Sequence, residues 1–172
     1  MPDVPTTADD LQEATETFTV TLTAPSSPSI LGAAAATGTI NDNDNASVTV
    51  EDVVETEGGS LVFTVTLDNA VQGSFTVTAS FTDQTATGGG TDYDSTPQVL
   101  NFTGAAGQAV QFTVPTTNDA LLESTETFLV SLEASNALVD DSDTAVGTIT
   151  EDPNDTALVT VEDVTAVEGA DL

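Results

Sequence analysis

Three observations on this 172-residue chain predict an all-β fold, a seven-stranded antiparallel β-sandwich repeated in tandem. Apolar and polar residues alternate with a period of two over most of the length, the mark of strands with one buried face. Val, Thr and Phe dominate those stretches, and none of them keeps a helical period. The sequence also repeats itself. Ala46, Glu51 and Glu57 recur as Ala157, Glu162 and Glu168, an offset of 111, while Val4, Glu13 and Phe18 recur as Val114, Glu123 and Phe128, an offset of 110. A repeat of that length matches one sandwich domain and is too long for a solenoid unit.

Against that period, residues 1–45 read as the C-terminal part of one module, 46–156 as a complete module and 157–172 as the first strand of a further one. In the complete module the first strand, about 47–52, carries Val48 and Val50 on one face. The second, 60–67, alternates Leu61, Phe63, Val65 and Leu67 with Ser60, Val62, Thr64 and Thr66. The third, 74–82, sets Phe75, Val77, Ala79 and Phe81 on one side. Leu100 and Phe102 mark the fourth (98–103), Val110, Phe112 and Val114 the fifth (108–115), Phe128, Val130 and Leu132 the sixth (126–134), and Ile149 the seventh (143–150). Asp68, Asn69, Gly73, Gly104, Gly107 and the stretch 136–142 supply turn chemistry between them. The stretch 82–97, with Gly88, Gly89 and Gly90, is too long for a simple hairpin, and loops of that length are usually functional or mobile. Two packed sheets of an immunoglobulin-like sandwich follow.

The charge balance is extreme: 29 Asp and Glu residues, no Lys, Arg or His, and a formal net charge of −29. Nucleic acid is excluded as a ligand, because binding it needs cationic side chains on the phosphates. An anionic membrane surface is disfavoured for the same reason. Mutual repulsion destabilises the compact state unless cations from outside neutralise it. There is no cysteine, which removes disulfides and thiolate metal sites together. The first residues have neither the basic start nor the apolar run of a signal peptide, so any export signal is expected to lie outside this chain. No stretch approaches the ~20 apolar residues of a membrane-spanning helix.

Strand order then places the acids. In an up-and-down arrangement, loops two strands apart share a pole. Glu57 follows the first strand, Asp92 and Asp94 the third, Asp119, Glu123 and Glu126 the fifth, and Glu151 and Asp152 the seventh. All eight are expected at one end of the sandwich. Such a cluster without a cation costs several kcal/mol in repulsion even at an effective dielectric near 20. Ca²⁺, which takes oxygen ligands in adaptable geometry, relieves it better than Mg²⁺, and Zn²⁺ or copper prefer the His and Cys this chain lacks. The competing explanation is a solvated acidic face, the ordinary fate of charge runs.

These residues resemble the Calx-beta domain family. The matching segments are Val48-Thr-Val-Glu-Asp with Glu57-Gly58, Leu61-Val-Phe-Thr-Val-Thr-Leu67, Gly90-Thr-Asp-Tyr93, Asn118-Asp119 with Glu123-Ser-Thr-Glu-Thr-Phe128, and Gly147-Thr-Ile-Thr-Glu-Asp152. The resemblance implies a seven-stranded sandwich that binds calcium at the pole of the loops after its first, third and fifth strands and its C-terminal end. It places Glu57, Asp92, Asp119, Glu123, Glu126, Glu151 and Asp152 on ligand positions. Where calcium-sensing members end in a run of aspartates, this chain has Thr150-Glu-Asp-Pro153.

The end pieces carry half sites. Asp9, Asp10, Glu13, Glu16, Asp42 and Asp44 match the second part of the cluster, and Glu168 matches Glu57. Either the end pieces are cut from modules of a longer tandem protein, the favoured expectation, or 157–172 of one chain adds as a strand to 1–45 of another, neighbouring modules being the partners in either case. The functional expectation is a calcium-binding structural repeat of a stalk, adhesin or filament, extracellular or on a bacterial cell surface, in which an ion shared by Asp152 or Asp155 and the loop acids stiffens the junction. A calcium-regulated, protein-binding sensor module is the alternative. A carbohydrate-active enzyme using a carboxylate pair is remote, and no enzyme is expected.

Overall fold

A computed structural model describes residues 3–22 and 35–169. The expectations that fall on 1–2, 23–34 and 170–172 lie outside the described residues. Among the described residues thirteen strands follow one another: β1 (Leu11–Gln12), β2 (Glu16–Thr21), β3 (Ala35–Ile40), β4 (Ala46–Val50), β5 (Val53–Thr56), β6 (Ser60–Leu67), β7 (Ala70–Val71), β8 (Phe75–Asp83), β9 (Gln98–Phe102), β10 (Ala109–Pro115), β11 (Glu126–Ala134), β12 (Val139–Asp140) and β13 (Thr144–Thr150). The seven expected strands are β4, β6, β8, β9, β10, β11 and β13. Pro115 closes β10, where its missing N–H costs no ladder bond.

One sheet has the order β10-β6-β4-β12 and the other β5-β13-β11-β8-β9. The period-two pattern is obeyed: Leu61, Phe63, Val65 and Leu67 are fully buried along β6, and Phe128 and Val130 along β11. Phe63 stacks on Phe112 within its own sheet and meets Phe128 of the other edge-on at 6.3 Å, so aromatic side chains join the two layers. Among the described residues the hydrophobic core lies between Ala46 and Ile149. The module 46–156 therefore carries its own core.

The short strands depart from the antiparallel plan. β5 lies parallel to β13, with Val53 opposite Gly147 and Thr56 opposite Thr150, and β12 lies parallel to β4. The break between β4 and β5 is fixed by two carboxylates. Asp143 Oδ2 accepts a hydrogen bond from Val50 N at the end of β4, and Asp52 Oδ1 accepts one from Val146 N beside the start of β5. The first strand thus starts in one sheet and finishes in the other, which sequence periodicity alone could not show.

Residues before Ala46 form the hairpin β2–β3, whose register repeats that of β11–β13: Phe18 faces Gly38 as Phe128 faces Gly147. A Cβ on Gly147 would run into the Phe128 ring, and one on Gly38 into the Phe18 ring, so each glycine is the seat of an aromatic ring. The hairpin is almost wholly exposed. Its preceding segment β1 pairs in parallel with β7, in the turn between β6 and β8. Residues 157–169 are exposed and join no ladder among the described residues.

Candidate metal centre

Four loops meet at the pole where β13 ends. The parallel ladder of β5 on β13 continues through Glu57, whose N–H donates to Thr150 O at 2.9 Å, setting the Glu57 side chain beside Glu151. The chain then reverses through Gly58 at φ +74°, a left-handed conformation suited to glycine, and a Cβ there would lie 2.8 Å from Asn118 Cβ. This close approach seats the loop after β10 against Glu57.

Tyr93 anchors the long loop after β8. It is fully buried, stacked on Phe128 at 4.0 Å, and its hydroxyl donates to Asp83 Oδ1 at 2.7 Å. Burial first, and then the Asp83 carboxylate, push its phenol pKa far above the usual value. Asp92, next to it, accepts from Thr87 N through Oδ2 and receives the Thr117 N–H at its carbonyl, which ties the loop after β8 to the loop after β10. In that second loop Asp119 Oδ1 accepts from Leu121 N at 2.7 Å, and Glu123 N donates to Glu151 Oε2 at 2.7 Å. Glu126 enters as the first residue of β11.

The resulting cleft is lined by Glu57, Asp92, Asp119, Glu123, Glu126 and Glu151. Three sets of carboxylates each present oxygens within 4.8 Å of one another: Glu57 with Asp119 and Glu123, Glu57 with Glu151 and Asp155, and Asp92 with Glu123 and Glu126. Glu57 and Glu123 each belong to two sets, so the sets form one continuous row. Among the described residues, four buried side-chain atoms lack a hydrogen-bond partner. Three of them, Glu57 Oε1, Glu151 Oε1 and Asp155 Oδ2, come from a single set. An orphaned buried carboxylate oxygen is costly unless a cation meets it. The donor set is all oxygen, which fits a hard cation such as Ca²⁺.

The electrostatics agree with that fit. Glu57 is pushed up to about 7, by burial first and then by Asp155, Glu151 and Asp119. Glu126 is also pushed up to about 7, by burial first and then by Asp92 and Glu123. Glu123 is raised by burial and by Asp119, Asp92 and Glu151. Carboxyls held above their ordinary range by burial and by one another are poised to exchange protons for a metal ion.

Of the eight residues expected at this pole, six line the cleft. Asp94 and Asp152 are directed elsewhere. Asp94 Oδ1 accepts from the N–H and hydroxyl of Thr96, which lowers its pKa. Asp152 Oδ1 accepts from Asn154 N, and Oδ2 from Asn118 Nδ2 at 3.3 Å, with a lowered pKa as well. The turn that Asp152 caps folds back, Asp155 N donating to Asp152 O, and brings Asp155 into the row instead. Its sequence signal is the Pro153-Asn154 turn pair directly before it.

A second cleft repeats the arrangement at the hairpin. Asp9, Glu13, Glu16, Asp42 and Asp44 line it, and Asp10 does not. Glu13 N donates to Asp42 Oδ2 at 2.8 Å, the counterpart of Glu123 and Glu151. Glu13 and Asp44 are raised, chiefly by burial and then by neighbouring acids, whereas the Glu13 N–H lowers Asp42. Glu168 lies in the exposed segment after β13.

The Calx-beta domain family matches residues 3–44 and again 41–165. No curated protein matches the chain. Among solved structures, the apo-form Calx CBD1 domain is 19% identical, with a TM-score of 0.55, over 63% of this chain and 99% of that one. CBD12 from CALX1.2 is 20% identical, with a TM-score of 0.53, over 61% of this chain and 45% of that one. The calcium binding domain CBD12 of CALX1.1 is 19% identical, with a TM-score of 0.51, over 61% of this chain and 44% of that one. At these identities the likeness is one of fold, and this chain spans less than half the length of the two CBD12 structures. With the family matched over most of its length and the sandwich shared, the chain belongs to the Calx-beta domain family.

Proposed function

We propose that this chain is a Ca²⁺-binding structural repeat, in which ions bound along the row from Asp155 through Glu57 to Asp92 fasten the loops of one pole together and stiffen the junction to the next module. The observation that carries this reading is the convergence of Glu57 Oε1, Glu151 Oε1 and Asp155 Oδ2, three buried oxygens with no partner in the protein. Glu57 directly follows β5, Glu151 directly follows β13 and Asp155 lies in the connection beyond it, so one ion there links the module to its outgoing chain. The net charge of −29 without a single cationic side chain points the same way, since neutralisation has to come from solution. A stalk, adhesin or filament outside the cell, where Ca²⁺ is abundant, suits weak ligation by few fixed oxygens; extracellular modules bind in the range of about 10⁻⁴–10⁻³ M.

Thermal unfolding by calorimetry in excess Ca²⁺, excess Mg²⁺ and chelator at matched ionic strength tests the reading. A ligand that prefers the folded state raises the melting temperature by mass action. A large Ca²⁺-specific rise is expected; equal melting in all three solutions would leave the pole a solvated acidic surface.

A further inference from the structure

The loop that precedes the sixth strand of a module occurs twice in this chain, held by the same pair of backbone-to-carboxylate hydrogen bonds but with different neighbours. In the first copy Asp9 Oδ1 accepts from Leu11 N at 3.1 Å and Glu13 N donates to Asp42; in the second, Asp119 Oδ1 accepts from Leu121 N at 2.7 Å and Glu123 N donates to Glu151. The loop is therefore shaped by its own module. In the first copy, however, it is covered. Leu11 and Gln12 pair in parallel with Ala70 and Val71, Gln72 N donates to Gln12 O at 3.0 Å, and Gln72 Nε2 reaches Glu13 Oε1 at 2.9 Å. In the second copy no strand among the described residues pairs with it, and the corresponding Leu121 and Leu122 are 60% and 61% exposed.

We infer that Leu121 and Leu122 form a docking edge for the turn between the second and third strands of another Calx-beta module, seated as Ala70–Val71 is seated on Leu11–Gln12. The partner is a short turn of small apolar residues ending in an amide residue whose N–H and side chain reach Leu122 O and Glu123 as those of Gln72 reach Gln12 O and Glu13. Parallel pairing supplies main-chain hydrogen bonds, as in other cases of strand addition. The second edge suits the contact better than the first. Gln12 Oε1 is buried without a partner in the existing contact, a desolvation cost, and Leu122 at the equivalent position carries no polar atom to desolvate. The contact needs no metal, so it stands or falls apart from the calcium reading.

Cysteine cross-linking tests it, since the chain has no cysteine of its own. The reference is the 172-residue chain with Leu11→Cys and Ala70→Cys, whose paired backbones lie about 4.8 Å apart, within disulfide range. The test protein continues residues 1–156 directly into residues 46–156 of a second copy, Ala46 taking the place of its repeat Ala157. It carries Leu121→Cys in the first whole module and Ala70→Cys in the second. The second copy folds without residues 1–45 because its core lies wholly between Ala46 and Ile149. Effective concentration is read in a glutathione redox buffer, in chelator and in Ca²⁺, against a control with Leu121→Cys and the exposed Val99→Cys of the second copy. The expected value lies within about 10-fold of the reference and at least ~100-fold above the control. A value equal to the control overturns the inference, and so does a reference pair that closes no better than the control, because the contact used as template would then not persist in solution.

Discussion

Replacing Glu57 by Gln should stabilise the chain in chelator and weaken its response to calcium, two effects of opposite sign from one atom pair. Glu57 belongs to two of the three carboxylate sets, facing Asp119 and Glu123 on one side and Glu151 and Asp155 on the other, with oxygens within 4.8 Å. Even at the dielectric of water, one ionised neighbour at that distance costs about 0.9 kcal/mol. Solvent at this half-exposed pole screens the rest, so removing the Glu57 charge at pH 8 should relieve about 1–2 kcal/mol. For a domain of this size that raises the melting temperature of the metal-free chain by roughly 3–8 °C. With Ca²⁺ at ten to a hundred times its dissociation constant, binding to one site adds about 1.4–2.7 kcal/mol to the native chain. Glu57→Gln should lose most of that gain. Paired calorimetry in chelator and in Ca²⁺ reads both arms. A variant that melts lower than the parent in chelator while keeping the full calcium shift would refute both the repulsion and the shared-ligand role.

The pH dependence should follow from the same pole. The folded chain holds Glu57 and Glu126 near 7, against an ordinary value of 4.5. Their contribution to stability is fully present below about 4.5 and is lost as pH rises through 7. In chelator the melting temperature should fall between pH 5 and 8, while the Ca²⁺-induced rise should grow over that window; scans at four pH values check both slopes. Asp94→Asn and Asp152→Asn should change calcium affinity far less than Glu57→Gln in titration calorimetry, because both carboxylates cap local turns. Gly147→Ala should destabilise by about 1–3 kcal/mol, as overpacking does, since the new Cβ meets the Phe128 ring on which Tyr93 is stacked; chemical denaturation measures it. If residues 157–172 add to β3 of a second chain, sedimentation should show concentration-dependent association that Val164→Pro abolishes, and a monomer at all concentrations would exclude that partnership.

Much of this was legible in the sequence because one face of each strand is dry. The runs Leu61 to Leu67 and Phe128 to Leu132 could be assigned to faces from alternation alone, and the structure buries the residues the alternation selects. The shared pole of the acids followed from counting strands. What periodicity could not give was β5. Val53–Thr56 is too short to show a period, and its place is set by Asp52 and Asp143 holding strands of different sheets. Nor could spacing tell an acid that points into the cleft from one that caps its own turn. Asp92 and Asp94 are two residues apart, yet one joins the row and the other bonds Thr96, a choice made by backbone angles within a single turn.

The same local decisions bear on what the pole is for. Asp94 and Asp152, which cap turns outside the cleft, are satisfied by their own loops. Glu57, Glu151 and Asp155 have no such partner for their buried oxygens, and they sit where the chain leaves the module. On the proposed reading their cost is carried by the fold until a cation arrives, at a place where binding could affect the direction of the outgoing chain. The hairpin end repeats this layout with Asp42 in the place of Glu151, and there the loop of one module already rests on the turn of the next through Gln12 and Gln72. The proposed metal ligation and the inferred docking would thus act on the same loop, through Glu13 in one copy and Glu123 in the other. An array built this way would carry two independent contacts on one loop at each junction, so removing calcium should leave the docking edge in place.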